Sequence, residues 1–98
     1  MDETLYEKII SENLEKGTQL RLVVSEFREV QYLHLRKYFL SYEGEFIPTK
    51  EGASFPVTIQ SIYALLDGLV EICSHEESID SITKHFQEKI EWIKSQNT

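Results

Sequence analysis

The sequence predicts an α+β domain in which a four-stranded antiparallel sheet is followed by helices. Residues 19–27 and 30–40 alternate apolar and polar side chains, the pattern of half-buried strands. Two shorter runs rich in strand-forming residues follow. Residues 59–72 and 78–94 then place apolar side chains at helical spacing. Consecutive strands followed by consecutive helices are typical of α+β folds.

The N-terminal segment, residues 2–16, is expected to form a short helix ahead of the sheet. Leu5 and Ile9 recur at helical spacing, and acidic residues lie in the first turn, where the helix dipole favours them. Gly17 is then expected to end this helix.

The next two segments are expected to pair as a hairpin. Residues 19–27 and 30–40 are separated only by Arg28 and Glu29, which predicts a tight turn. This dipeptide lacks the glycine or asparagine that such turns prefer. Alternation gives the second strand one face with Tyr32, His34, Arg36 and Tyr38, and another with Leu33, Leu35, Lys37 and Phe39.

Two short strands are predicted to complete the sheet. Residues 45–50 follow a turn signal that ends at Gly44. Pro48 removes a backbone donor and therefore indicates an edge or a strand end. Residues 51–52 are predicted to turn the chain, and residues 53–55 to form the fourth strand.

The C-terminal part is predicted to hold two helices. Thr58 is a suitable N-cap for the first helix. The second follows residues 74–77, which have a capping-box pattern. The apolar stripes are Ile62, Leu65, Leu66, Leu69 and Ile72 on the first, and Ile79, Ile82, Phe86, Ile90 and Ile93 on the second.

Length and composition limit the class of protein. The chain has 98 residues, a length for one domain that buries only about 60% of its unfolded surface alone. No apolar run approaches the ~18 residues that span a bilayer, and the acidic N-terminus is unlike a signal peptide. The single cysteine, Cys73, cannot form an internal disulfide, which fits an intracellular, reducing compartment.

The formal charge of −7 is unevenly distributed along the chain. Residues 1–15 carry −4 and residues 51–98 carry −5, whereas residues 16–50 carry +2. A polyanion responds to the local field near a basic strip more than to the total charge. The middle third is therefore the part that could meet nucleic acid.

No catalytic or cofactor signature is present, so the sequence does not predict an enzyme. Phosphate-binding glycine loops, HExxH, CxxC and GxSxG are all missing. His34, His75 and His85 lie in separate predicted elements, and the spacing of His85 and Glu88 fits a solvated helix pair better than a metal site. No cofactor or metal is expected.

Basic and aromatic residues interleave between residues 21 and 50. Single-stranded nucleic acids are bound by cations along the backbone and by aromatic faces under the bases. The alternative is that these aromatic rings belong to the core and the charges to its wet face. The residues are Arg21, Phe27, Arg28, Tyr32, Arg36, Lys37, Tyr38, Phe39, Tyr42, Phe46 and Lys50.

The stretch SEFREVQYLHLRKYFLSYEGEFIPTKEGASF, residues 25–55, resembles the core of the PC4/Sub1 family of transcriptional coactivators. The similarity runs without a gap and continues into the helix at 59–72. It is carried by Glu26-Phe27, Leu35-Arg36-Lys37-Tyr38-Phe39, Glu43-Gly44-Glu45, Pro48 and Gly52-Ala53-Ser54-Phe55.

This resemblance implies a homodimer whose curved sheets bind single-stranded DNA. The helices would pack at the dimer interface through Ile62, Leu65, Leu66 and Leu69. Phe27 and Phe39 would stack on bases, and Gly52 would allow a close backbone approach. Phosphates would be held by Arg28, Arg36 and Lys50, with Arg21 and Lys37 as further candidate contacts.

Two departures from the family pattern affect the expected site. Glu29, Val30, Ile47 and Glu51 stand where the family often has glycine or lysine, so several potential cations are lost. Strict alternation also places Arg36 and Phe39 on opposite faces, so either a bulge realigns them or one of the two roles does not apply.

The expected organisation is a single PC4-like domain over residues 1–98. Residues 1–17 are an N-terminal extension, 19–72 the core, and 74–98 an additional C-terminal helix. The first hypothesis is sequence-independent single-stranded DNA binding that supports transcription, replication or recombination, with proteins of those processes as further partners and no membrane. The alternative is an adaptor dimer that keeps the fold, binds DNA weakly and recruits a protein partner.

Overall fold

The computed structural model describes residues 3–73 and 76–97. Four strands form one antiparallel sheet in the order β1-β2-β3-β4, so each strand pairs with its neighbours in the sequence. The chain divides after Thr58 into two compact units, one with the sheet and one with the helices. The α+β class is therefore confirmed. The elements are β1 (Glu3–Asn13), β2 (Thr18–Phe27), β3 (Val30–Leu40), β4 (Phe46–Pro56), α1 (Ile59–Ile72) and α2 (Glu76–Gln96).

The prediction of an N-terminal helix is wrong, because β1 occupies that segment. It pairs with β2 from Glu3 opposite Glu26 to Asn13 opposite Thr18. The register shifts at Leu5 and at Ile10. Each bulge adds one residue and interrupts the alternation that reveals a strand. The edge of β2 supplies the backbone hydrogen-bond partners of β1, and these partners cannot be recognised from the local sequence of β1.

The tight turn between β2 and β3 is confirmed. Phe27 pairs with Val30, so the loop contains two residues. Arg28 and Glu29 have φ angles of 53° and 67°. Positive φ at both central positions is typical of a type I′ turn, which matches the twist of the flanking strands. Residues other than glycine adopt this conformation at a cost of about 1 kcal/mol each, which the pairing of the strands must offset.

The number of predicted strands is confirmed, but the third and fourth predicted strands are one continuous strand, β4. The predicted turn at residues 51–52 is a bulge within it. Gly52 lies opposite Arg36 and Pro48 lies opposite Tyr38, so residues 49–51 share a single partner position on β3. The residues predicted to form a turn therefore form a bulge, which interrupts the pairing locally and does not reverse the chain.

One hydrogen bond and one glycine hold this bulge against β3. The hydroxyl of Thr49 donates a hydrogen bond to the carbonyl oxygen of Lys37 at 2.8 Å. Gly52 has a φ of 154°. A Cβ atom at Gly52 would collide with the carbonyl oxygen of Leu35 and would lie 2.9 Å from the Cα atom of Arg36. Gly52 therefore lets the β4 backbone approach β3 closely. Its expected role at bound DNA stays a prediction.

The two faces of the sheet differ in chemistry. Cross-strand pairs such as Arg21 with Arg36 and Leu22 with Leu35 show which side chains share a face. Val23 is buried on one face and Leu33 on the other. We call the first the polar face, which carries Gln19, Arg21, Ser25, His34, Arg36 and Tyr38. We call the second the apolar face, which carries Leu20, Leu22, Val24, Leu33, Leu35, Lys37 and Phe39.

Both C-terminal helices are present. α1 has the predicted bounds and begins directly after the expected N-cap, Thr58. α2 is longer than predicted at both ends. The first two residues of the expected capping box, at positions 74 and 75, lie outside the described residues. α1 buries no residue of its apolar stripe, and an apolar pocket is lined by Leu66, Leu69, Val70, Cys73, Ile82 and Phe86.

Candidate nucleic-acid interface

Arg36 lies in the middle of the polar face and is fixed by contacts to β4. One terminal nitrogen of its guanidinium donates to the carbonyl oxygen of Thr49 at 2.8 Å. The other lies 3.4 Å from the hydroxyl of Ser54. A guanidinium has five N–H donors in one plane. These two contacts therefore orient Arg36 and leave donors that can reach an anion.

Arg21 is positioned on the same face but is already paired. Its guanidinium forms an ion pair with Glu7 at 2.5 Å, and its side chain is only 18% exposed. It donates to Gln19 at 2.9 Å and 2.7 Å. Its central carbon also lies 4.3 Å from the ring centroid of Tyr38 and 5.7 Å from that of Phe46. The charge of Arg21 is therefore compensated by Glu7 of β1, and its guanidinium also contacts two aromatic rings.

A row of three polar side chains crosses the polar face beside Arg36. Nε2 of His34 lies 2.7 Å from the hydroxyl of Ser25. Nδ1 of His34 lies 2.5 Å from the hydroxyl of Ser54. β2, β3 and β4 therefore each supply one member of the row.

An open pocket of about 300 Å³ lies on the polar face, and Ser25, His34 and Arg36 are among the residues that line it. It combines a guanidinium, an imidazole, hydroxyl groups and an aromatic ring. This is the donor and stacking chemistry that a nucleotide requires. The lining residues are Thr4, Val23, Ser25, His34, Arg36, Tyr38 and Pro48.

The β2–β3 turn presents a second aromatic and cationic pair. Phe27 is 38% exposed. The central carbon of the Arg28 guanidinium lies 5.0 Å from the centroid of the Phe27 ring. An exposed ring beside a cation can accept a base on its face while the cation meets the adjacent phosphate.

Phe39 and Lys37 lie on the apolar face, opposite Arg36. Phe39 is 43% exposed and pairs with Thr18 and Ile47. Lys37 forms an ion pair with Glu51 at 3.2 Å. The β2–β3 register is continuous, and the bulge beside Arg36 lies in β4. The bulge therefore does not bring Phe39 to the polar face.

The predicted contact residues thus lie on the two opposite faces of the sheet, in the β2–β3 turn and in the β4 bulge. Arg21 and Arg36 share the polar face, with Phe27 at the end of its strand. Lys37 and Phe39 share the apolar face, Arg28 lies in the turn, and Lys50 lies in the β4 bulge. The DNA contacts expected of all these residues stay predictions.

The sequence prediction does not include His34, Ser25 or Ser54 among the contact residues. Alternation along β3 already places His34 on the same face as Arg36, so a signal for this residue was present. The sequence contained no such signal for Ser54, because the position of Ser54 depends on the strand register after the β4 bulge.

Comparison with solved structures connects this fold to a family. A bacteriophage T5 homolog of the eukaryotic transcription coactivator PC4, implicated in recombination-dependent DNA replication, is 34% identical to the chain. The match covers 89% of this chain and 93% of the phage chain, with a TM-score of 0.68. The chain belongs to the PC4 family.

Two further comparisons agree with this assignment. The sequence profile of the family, described as Transcriptional Coactivator p15 (PC4), matches residues 14–59. A PC4 homolog from Burkholderia pseudomallei shares the fold, with a TM-score of 0.54 at 18% identity, and the match covers 74% of this chain and 90% of that one. Among curated protein sequences, none matches the chain significantly.

Membership of the PC4 family supports a DNA-binding role, since the fold is that of a DNA-binding coactivator and not of an enzyme. The profile match begins within the β1–β2 turn, so β1 lies outside it. Neither helix that the structure describes combines the length and the apolarity that a membrane crossing requires.

Proposed function

We propose that this PC4-family chain binds single-stranded DNA without sequence preference, as an intracellular homodimer that serves transcription, replication or recombination. The observation that carries the proposal is the polar face, where Arg36 lies between the hydrogen-bonding row at His34 and the ring of Tyr38. Phe27 and Arg28 at the β2–β3 turn extend this surface. Cations and aromatic faces along one strip are the requirements for binding a single strand.

The strength of binding is expected to depend steeply on salt. Each phosphate neutralised on a single strand contributes about −0.7 to the slope of log affinity against log salt. Each stacked base contributes about 1–3 kcal/mol. The total charge of −7 opposes these local attractions. We therefore expect binding that is clear at low salt and is lost as salt is raised.

A fluorescence-anisotropy titration with labelled oligo-dT tests this proposal directly. The same titration with a duplex of equal length measures the preference for single strands. We expect saturable binding of oligo-dT at low salt and weaker binding of the duplex. Failure to bind oligo-dT at tens of micromolar protein would exclude the proposed function.

The homodimer is proposed from the apolar surface of α1. Leu65, Leu66 and Leu69 are 39%, 46% and 50% exposed. Together with Ile62 they form a continuous stripe along one side of the helix. Removing such a stripe from water stabilises an assembly by about 25 cal/mol per Å². A second copy of the chain offers a matching stripe.

Leu66→Glu tests this interface, with Ala64→Glu as the matched control on another side of the same helix. Burying a carboxylate in the interface should weaken association by about 3 kcal/mol or more. Sedimentation velocity should therefore show a dimer for the wild-type chain and Ala64→Glu, and a monomer for Leu66→Glu. Equal sedimentation of all three proteins would contradict the assignment.

A second candidate function is an adaptor dimer with weak DNA binding. It is favoured by the pairing of two predicted contact cations with carboxylates, Arg21 with Glu7 and Lys37 with Glu51. In that case oligo-dT affinity would be low and nearly insensitive to salt, whereas the first candidate requires a steep salt dependence.

A further inference from the structure

His34 occupies a central position on the polar face, but it is not among the residues predicted to contact DNA. It lines the same open pocket as Arg36 and Tyr38. Both of its ring nitrogens lie within hydrogen-bond distance of serine hydroxyls, 2.7 Å from Ser25 and 2.5 Å from Ser54. The one histidine of β3 is therefore held in a fixed orientation on the polar face.

Two hydroxyl partners allow the imidazole to change its charge without losing a hydrogen bond. A neutral imidazole has one donor and one acceptor nitrogen, so one serine must donate and the other must accept. A protonated imidazole has two donors, and each serine oxygen can accept one of them. Hydroxyl rotation alone converts one arrangement into the other. In the protonated state both serine oxygens accept from the ring, so the hydroxyl hydrogen of Ser54 is available to donate to an incoming oxygen.

The groups around His34 favour the binding of an anion, such as a phosphate, over the binding of a nucleobase. Arg36 lies two residues along β3 and shares Ser54 with His34. Glu7, the carboxylate on this part of the face, is already paired with Arg21. The titratable and charged groups around the ring are Glu7 on β1, Arg21 on β2, and Tyr32, Arg36 and Tyr38 on β3, whereas β4 presents the hydroxyl of Ser54.

We propose that His34, Ser54 and Arg36 together form a binding site for a backbone phosphate of single-stranded DNA, and that protonation of His34 strengthens this contact. The proposal rests on the proposed function, because it concerns the same surface. It adds a contact residue and a dependence on pH. The ligand class is a phosphodiester, because the site offers donors and positive charge at one point.

The direction and size of the effect follow from charge. As pH falls and the His34 imidazole takes up a proton, the side chain gains one positive charge. One additional phosphate contact on a single strand changes the salt slope by about 0.7, which corresponds to about fivefold in affinity near 0.1 M salt. By linkage, bound DNA must also favour the protonated imidazole.

The experiment is an oligo-dT anisotropy titration at constant ionic strength, repeated from pH 8 to pH 5.5. Thymine carries no group that titrates in this range, so the probe does not change. His34→Gln keeps hydrogen-bonding capacity without the charge. His85→Gln is the matched control, because His85 is a histidine of α2 whose ring contacts Phe86. His34→Lys supplies a fixed cation.

We expect wild-type and His85→Gln affinity to rise about fivefold as pH falls, and His34→Gln affinity to stay constant. His34→Lys should bind at pH 8 nearly as tightly as the wild type at pH 5.5, and its affinity should not vary with pH. An equal rise in His34→Gln and wild type would overturn the phosphate site but leave the proposed function intact. Absence of binding at every pH would remove the proposed function and this site with it.

Discussion

The polar and apolar faces belong to the same four strands, yet they offer opposite chemistry to a partner. On the polar face, guanidinium, imidazole and hydroxyl groups converge on one pocket, and their contacts to β4 fix their orientation. On the apolar face, leucine and phenylalanine side chains surround one lysine that is paired with Glu51. Because strand side chains alternate, two neighbouring residues can belong to entirely different surfaces.

This difference matters most for the residues shared with the PC4 family. The local run from Leu35 to Phe39 carries much of the resemblance, but it contributes to both faces. Arg36 is oriented towards the pocket, whereas Phe39 lies across the sheet from it. One short stretch of β3 therefore supplies side chains to two different surfaces.

A comparison of Arg36→Ala with Lys37→Ala is the sharpest test of whether DNA contacts the polar face and not the apolar face. We expect Arg36→Ala to weaken oligo-dT binding by about 2 kcal/mol, roughly thirtyfold, because a charge-assisted contact is lost. Its salt slope should fall by about 0.7. Lys37→Ala should change affinity much less. Anisotropy titrations over a series of salt concentrations measure both quantities.

Thermal melts of the two proteins provide the control, because Arg36 also holds the carbonyl of Thr49. The comparison is valid at temperatures where both variants are folded. Equal losses of affinity for the neighbouring residues would show that DNA contacts both faces, and the arrangement would have to be abandoned.

Phe27→Ala against Phe39→Ala applies the same comparison to aromatic rings. We expect Phe27→Ala to reduce DNA affinity by about 1–2 kcal/mol through lost stacking. Phe39→Ala should reduce affinity less and lower the free energy of unfolding by about 2 kcal/mol, since a half-covered ring loses roughly half of a buried one's contribution. Chemical denaturation and anisotropy separate the two effects. Equal affinity losses would instead support the stacking role that the family resemblance implies for Phe39.

Glu7→Gln against Glu51→Gln should give the smallest effect. Each substitution releases one paired cation, Arg21 on the polar face or Lys37 on the apolar face. We expect Glu7→Gln to raise oligo-dT affinity about threefold, within the range of a partly exposed ion pair, and Glu51→Gln to leave it unchanged. Titration at low salt would reveal the difference. A gain from Glu51→Gln alone would indicate that the strand passes over the apolar face.

The local part of the fold could be predicted from sequence because its signals are local. The β2–β3 hairpin follows from two alternating runs separated by two residues, and α1 follows from a stripe with a suitable cap. The strand face on which Arg36 lies could be predicted for the same reason. By contrast, β1 and β4 each contain irregularities where extra residues interrupt alternation, and these depend on the partner strand.

The sequence by itself determined the sheet-then-helix order, the hairpin, α1 and the membership of Arg36 and His34 in one strand face, since each depends on spacing within a short segment. Only the tertiary structure decided that residues 3–13 form a strand, that residues 51–52 are a bulge, and that Ser54 and Thr49 meet Arg36. The physical reason is that pairing across strands fixes register, and register sets which distant side chains meet.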